Sequence, residues 1–440
     1  MSIVYQALQF ILSISLLVLI HELGHFMFAR IFKIKVEKFY LFFNPWFSLF
    51  KYTSKKTGTE YGLGWLPLGG YCSIAGMVDE TKKADQLAAE PQEWEYRSKP
   101  AWQRLLVIVG GVLFNTIGAF VIYSAMLGFW GKEYIPAKNA VYGYQFSEVA
   151  KEIGFKNGDK ILDVDGKPVK TLSDISHMIL LEKAAYAKVQ RGDSSLTVYI
   201  PADFTQRLLA SNTSVLMVER FPFVIENVQK GMAAEKAGLQ KGDSLISIDN
   251  VPIGIFQDFV EVSKKFAGKT AEVCYKRAGQ IRTGSLHIDS NGKLGVYTNP
   301  FDFIKTEKET YSVLAAIPAG IKMGYSTLTN YVKQLKIVFT KEGAKNLGGF
   351  GTMASLYEKT WDWRSFWRTT ALLSIILAVM NILPIPALDG GHLLFILFEM
   401  ITGKKPNDKF LEYAQMVGFS LLILLLLYAN GNDILRYFFK

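Results

Sequence analysis

A chain of 440 residues that is half hydrophobic and 14% aromatic, with a formal charge of +10, is too long for one ordinary domain and too apolar for a wholly soluble protein. Its basic excess comes with no basic run and no nucleic-acid-binding motif, so the charge is read as membrane topology and no nucleic-acid partner is expected. Four charge-free runs, residues 3–20, 105–130, 369–388 and 413–432, are each about long enough to cross a hydrocarbon core of roughly 30 Å.

The first run has no basic segment before it and leads directly into His21-Glu22-Leu23-Gly24-His25, so it is read as a retained span and not as a cleaved leader. On a helix His21 and His25 lie one turn apart on one face. Both imidazoles can then reach a single Zn²⁺, with Glu22 beside the metal-bound water, which is a hydrolytic arrangement. Three polar residues in five positions at the end of an apolar span are costly unless they are paired or ligate something.

Arg30, Lys33, Lys35 and Lys38 follow this span, and Arg97, Lys99 and Arg104 precede the second. The loop between them is therefore expected in the cytoplasm, as is the loop with Lys404, Lys405 and Lys409 between spans three and four. Residues 131–368 and both termini then face out. This topology separates Cys72 from Cys274, so no disulfide framework is expected and each reads as a small core residue. Within the first loop, residues 59–71 (TEYGLGWLPLGGY) alternate in part and are rich in Gly.

The external region repeats itself: residues 154–169 (GFKNGDKILDVDGKPV) recur as residues 238–253 (GLQKGDSLISIDNVPI), 84 residues on. Each copy reads as a Gly turn, an alternating strand, an Asp-Gly or Asp-Asn turn and a Pro-containing strand start. The pattern resembles the PDZ domain of bacterial proteases, whose backbone N–H groups capture a peptide terminus along a sheet edge. The second copy fits better, and Gly238, Gly242 and Asp243 are its candidate peptide-binding residues; a plain spacer is the alternative. His177 and His287 read as ordinary surface or sheet residues.

A catalytic zinc usually takes a third protein ligand, and residues 381–392 (NILPIPALDGGH) offer Asp389 where an unpaired charge in a span would be expensive. The prolines and glycines here interrupt span three, freeing backbone groups that are tolerated at membrane depth only against protein or a water-filled cavity. His392 competes as a ligand and is weighed mainly as an outer or structural partner.

The HExxH in span one, the N-x-x-P-x-P-x-L-D-G run in span three and the tandem repeat between spans two and three resemble the site-2 protease family, in its bacterial RseP-type branch of sigma-E regulators. The resemblance implies His21, His25 and Asp389 as Zn²⁺ ligands and Glu22 as general base. It also implies substrate contacts at Asn381, Pro384 and Pro386, and at a membrane-associated β-hairpin with Gly62, Gly64, Gly69 and Gly70. Residues 110–115 (GGVLFN) resemble the family's Gly-x-x-x-Asn segment, with Gly111 where Pro is common and Asn115 packing against the catalytic helices. Ile376 replaces an Asn that many relatives carry.

The expected fold is a polytopic α-helical membrane protein with four transmembrane helices, that β-hairpin and two tandem PDZ domains (α+β, partly open β-barrels). The expected divisions are 1–130, 131–220, 221–304, an external helical linker 305–368, and 369–440. The implied function is intramembrane zinc endopeptidase activity in the bacterial inner membrane, on single-span membrane proteins already cut once outside, of anti-sigma-factor or signal-peptide-remnant type. Expected partners are the substrate's transmembrane segment, the bilayer and peptide ligands of the PDZ pair. A catalytically silent PDZ scaffold is the alternative, against which the intact Glu22 speaks, and a zinc transporter would leave both the base and the peptide modules without a use.

Overall fold

The computed structural model describes residues 2–77, 90–211, 215–338 and 348–439. It divides into two compact units, Met1–Gly131 with Thr310–Lys440, and Lys132–Glu309.

Among the described residues, four helices of the first unit are long and apolar enough to cross a membrane: Val4–Ile31, Ala101–Trp130, Trp363–Ile382 and Lys409–Leu435. Helix α1 (Ser2–Ile31) runs unbroken through His21 and His25. It crosses α2 (Ala101–Trp130) where Gly24 meets Gly110, backbone on backbone, leaving no room for a side chain on either. Small residues at such a crossing let two helices approach closely enough for dispersion contacts to hold them in a bilayer. The third span packs Ala371, Ile375 and Val379 against Ala119, Tyr123 and Met126 of α2. Ile376, at the position of the family's polar residue, packs beside Leu17 and Leu373.

The third span is shorter at its end than its apolar run. Residues 369–388 read as one interrupted span, but the helix stops at Ile382 and a separate helix, Asp389–Thr402, follows. Leu383 is extended (φ −62°, ψ 142°), as a residue before proline prefers, and Pro384 and Pro386 cannot supply the N–H groups a helix needs. Asp389 thereby becomes the first residue of a new helix, where the helix dipole favours a negative charge.

The segment 305–368 contains a 26-residue helix, Val313–Val338. Its Gly320 and Gly324 lie against Ser124 and Phe120 of α2, and it belongs to the same unit as the spans.

The loop after α1 forms a four-stranded sheet of β1 (Val36–Phe43), β2 (Phe50–Thr53), β3 (Glu60–Leu63) and β4 (Leu66–Ile74), in the order β2-β3-β1-β4. The Gly-rich segment is not a hairpin: β3 and β4 are consecutive, yet they flank β1, one parallel and one antiparallel to it. Gly64 turns the chain across β1 by donating its N–H to Leu41 O, and Gly62 lies under the Tyr40 ring where a Cβ would collide. Tyr40 stacks on Tyr71 across the β1–β4 ladder, with ring centroids 5.2 Å apart. Among the described residues β4 is a sheet edge.

In the second unit the sequence repeat is a structural one. Strands run in the order Pro168-containing 167–168, 160–164, 186–191, 194–199 in one sheet and 251–252, 244–248, 270–277, 280–287 in the other. Each sheet closes over its own core, around Phe155, Ile161 and Val189 in the first and Phe223, Leu245 and Val273 in the second. Asp159 and Asp243 are both buried under a bidentate arginine, Arg191 and Arg277, whose second nitrogen also donates to Gly154 O or Gly238 O. Between the copies, Glu261 accepts from Lys151 Nζ (2.8 Å) and Gln145 Nε2 (2.5 Å), and Arg220 grips Asp258 with two bonds of 2.6 and 2.7 Å.

Candidate active site and metal centre

His21 and His25 project from one face of α1 with ring centroids 4.7 Å apart. His25 Nδ1 is 2.9 Å from Val107 O, and a carbonyl only accepts, so the proton of this ring is on Nδ1 and Nε2 is left as a ligand atom. His25 Nε2 lies 3.2 Å from His21 Nε2, and Asp389 Oδ2 lies 3.2 Å from His21 Nε2 and 3.4 Å from His25 Nε2. Tetrahedral zinc with bonds of 2.0–2.2 Å separates its ligands by about 3.3–3.6 Å, close to the 3.2–3.4 Å found here.

Asp389 Oδ2 supplies a second test. It is buried and has no hydrogen-bond partner among the described residues. A buried carboxylate oxygen facing only two imidazole nitrogens is expensive to hold, and a divalent cation removes that cost. Room for the cluster comes from Gly111 on α2, where a Cβ would stand 2.5 Å from both His21 Cε1 and His25 Nε2. His21, His25 and Asp389 are therefore a donor set that fits a metal ion.

These residues open on a cavity of about 410 Å³. Glu22 lines it, with its carboxylate hydrogen-bonded by the backbone of Cys72 on β4. Gly69, Gly70 and Tyr71 of the β4 edge, Asn381 and Ala387 line it too. Asn381 Nδ2 is 3.4 Å from His21 Nε2. Ala387 holds φ at 75°, a left-handed conformation that costs a non-glycine residue energy, two residues before the Asp389 it delivers.

Other candidate residues lie elsewhere. Gly62 and Gly64 pack against β1 and do not line this cavity. Pro384 is exposed, and Pro386 is wedged between Gly391 and Gly418 of the fourth span, so it anchors the loop. His392 lines the cavity but turns its Nε2 to Gln415 Nε2 at 2.9 Å, outside the ligand cluster. Gly238, Gly242 and Asp243 use their polar groups inside their module: Gly238 O accepts from Arg277, Gly242 N–H donates to Ile225 O, and Asp243 is paired with Arg277. His177 faces Glu182 and His287 faces Thr270, both in the second unit. Neither Cys72 nor Cys274 forms a disulfide.

Three contributors from α2, the Val107 carbonyl, Gly110 and Gly111, have no chemical signature as single residues. The signal for the glycines is the pairing of small residues on two apolar helices, Gly24 with Gly110-Gly111.

Residues 9–425 match the family model described as peptidase family M50. The chain is 31% identical over 451 residues to a protein of Neisseria meningitidis serogroup A named as a zinc metalloprotease, covering 98% of each. It is 29% identical to the "Regulator of sigma E protease" of Haemophilus influenzae and 29% identical to the "Regulator of sigma-E protease RseP" of Escherichia coli K12, covering 99% of this chain and all of each relative. Four apolar helices, a His-His-Asp donor set and a family match along almost the whole sequence lead to one conclusion: the chain belongs to peptidase family M50 and is a membrane-embedded zinc metalloprotease.

Proposed function

We propose that this protease cleaves the transmembrane segment of single-span membrane proteins already shortened by a first external cut, of the anti-sigma-factor or signal-peptide-remnant kind. The observation that carries the reading is the convergence of three ligand atoms at 3.2–3.4 Å, inside an apolar helix unit, beside an open strand edge. His21, His25 and Asp389 hold the zinc and Glu22 is the base. Zinc, when bound there, supplies Lewis acidity to the scissile carbonyl and to the attacking water. Glu22 takes the proton of that water and hands it to the leaving amine, so no covalent intermediate is needed.

A transmembrane substrate must unwind to be cut, and its freed backbone groups need partners that lipid cannot offer. Among the described strands β4 is an edge, and its Gly69 and Gly70 line the cavity with Glu22, so the outward N–H and C=O groups of such an edge can pair with substrate, while Asn381 adds an amide beside His21 Nε2. Pro384 and Pro386 act by shaping this loop.

The two modules of the second unit serve as a PDZ pair that filters substrates or binds peptides, since all four catalytic positions fall outside them. The positive-inside distribution assigns them to the external, periplasmic face of a bacterial inner membrane. Glu22→Gln tests the chemistry: the variant should keep its zinc and lose proteolysis by on the order of a thousandfold or more. Undiminished hydrolysis by the purified variant would reject the mechanism, and absence of hydrolysis by the purified wild type would favour the silent scaffold.

A further inference from the structure

Val107, Gly111 and Asn115 follow one another at four-residue intervals on α2, forming one stripe that faces the two histidines. Val107 O fixes the proton of His25 on Nδ1, and Gly111 leaves space for both rings. At the third position, Asn115 is fully buried, with Nδ2 3.4 Å from His21 Nδ1 and Oδ1 buried without a partner among the described residues. Its main-chain carbonyl accepts from Ser374 Oγ at 2.7 Å, so the third span holds it in place.

The proton count around His21 decides which amide atom belongs there. A neutral imidazole has one donor and one acceptor nitrogen. The amide nitrogens of Asn115 and Asn381 stand 3.4 Å from Nδ1 and Nε2 respectively, and the ring cannot accept from both. Nε2 is the atom that faces Asp389 Oδ2 and His25 Nε2, so with Nε2 given to the metal the proton is on Nδ1, which becomes a donor. The two ends of an amide exchange by a half-turn about Cβ–Cγ, and the hydrogen-bond network decides between them.

We infer that Asn115 is a positioning residue for the metal site, accepting the Nδ1–H of His21 on its side-chain oxygen as Val107 O accepts that of His25. This rests on the proposed ligand set and extends it: α2 holds both ring tautomers, one by main chain and one by side chain. Outer partners of this kind orient a ligand ring and raise its basicity.

The test is zinc affinity of the purified full-length protein in detergent, measured by competition with a chromophoric chelator. Asn115→Leu, similar in size but unable to accept, should weaken binding by about 10–100-fold, while Asn115→Asp, which accepts but cannot donate, should stay within about threefold of wild type. Melting of the metal-free forms reports folding separately. Zinc binding by Asn115→Leu at wild-type strength, or a folded Asn115→Asp as weak as Asn115→Leu, would overturn the inference. Should Asn115→Leu fail to fold, histidine-selective ¹⁵N labelling of the zinc-loaded wild type decides: a proton on His21 Nδ1 supports the inference and a proton on Nε2 overturns it. His21→Ala separates the two levels, because loss of zinc there with no effect of Asn115→Leu rejects only the positioning role, whereas retention of zinc rejects the ligand set itself.

Discussion

Two aspartates in this chain, one buried whole and one by a single carboxylate oxygen, have opposite meanings. Asp243 in the second unit has no exposed surface and is answered by Arg277 with two bonds of 2.6 Å, an arrangement its repeat partner Asp159 copies with Arg191. Asp389 in the membrane unit meets no arginine or lysine among the described residues; its Oδ2 faces two imidazoles. A buried carboxylate needs a positive partner. Where the fold supplies a guanidinium, the residue is architectural, and where it supplies only imidazole nitrogens converging at ligand spacing, a metal ion fits as the partner.

Asp389→Asn should show the larger effect. Zinc should be lost and cleavage should fall by on the order of a thousandfold, the several kcal/mol a bound metal contributes, without lowering the melting temperature of the metal-free protein. Full zinc occupancy in that variant, read by metal analysis, would break the comparison. Asp243→Asn should behave in the opposite way, lowering the stability of the second unit through the weakening of its two bonds to Arg277 while leaving zinc content unchanged. Denaturant titration followed by a probe in the second unit measures this, and wild-type stability would show that the pair is not structural.

Gly111→Ala sharpens the point that the ligand pocket is set by α2. The new Cβ would stand 2.5 Å from His21 Cε1 and His25 Nε2, so zinc affinity should drop by about 10–100-fold. Gly118→Ala is the control, since its Cβ would find nothing nearer than Ile20 at 3.6 Å. Equal zinc binding by both variants would contradict the crowding argument.

The smallest expected effect concerns Glu261 at the junction of the two modules. Burial pushes its carboxyl up, but the Lys151 ammonium and the Gln145 and Asn157 side chains outweigh that and hold it below its ordinary 4.5. A carboxylate depressed in the folded state contributes stability above its unfolded value and loses it as the pH falls through the folded one. The junction should therefore loosen below about pH 4.5, and Glu261→Gln should flatten that part of the stability–pH curve. An unchanged acid limb in Glu261→Gln would assign the loss to other groups.

The sequence by itself determined the four apolar helices, the repeat and the His-Glu-His face, because each depends on local spacing: apolar run length, self-similarity, and the 3.6-residue turn that aligns positions 21 and 25. Asp389 was legible from cost alone, since a carboxylate among apolar residues with two prolines and two glycines needs a reason to be there. Tertiary structure alone decided the rest. Only pairing across β1 separates Gly69 and Gly70, which line the cavity, from Gly62 and Gly64, which pack away from it. Only the arrival of Arg277 from a strand 34 residues further on distinguishes Asp243 from a ligand-binding residue. The carbonyl of Val107, which sets the tautomer of His25, belongs to the backbone that every residue has, so it acquires a role only when two helices cross at Gly24 and Gly110 and bring it within 2.9 Å.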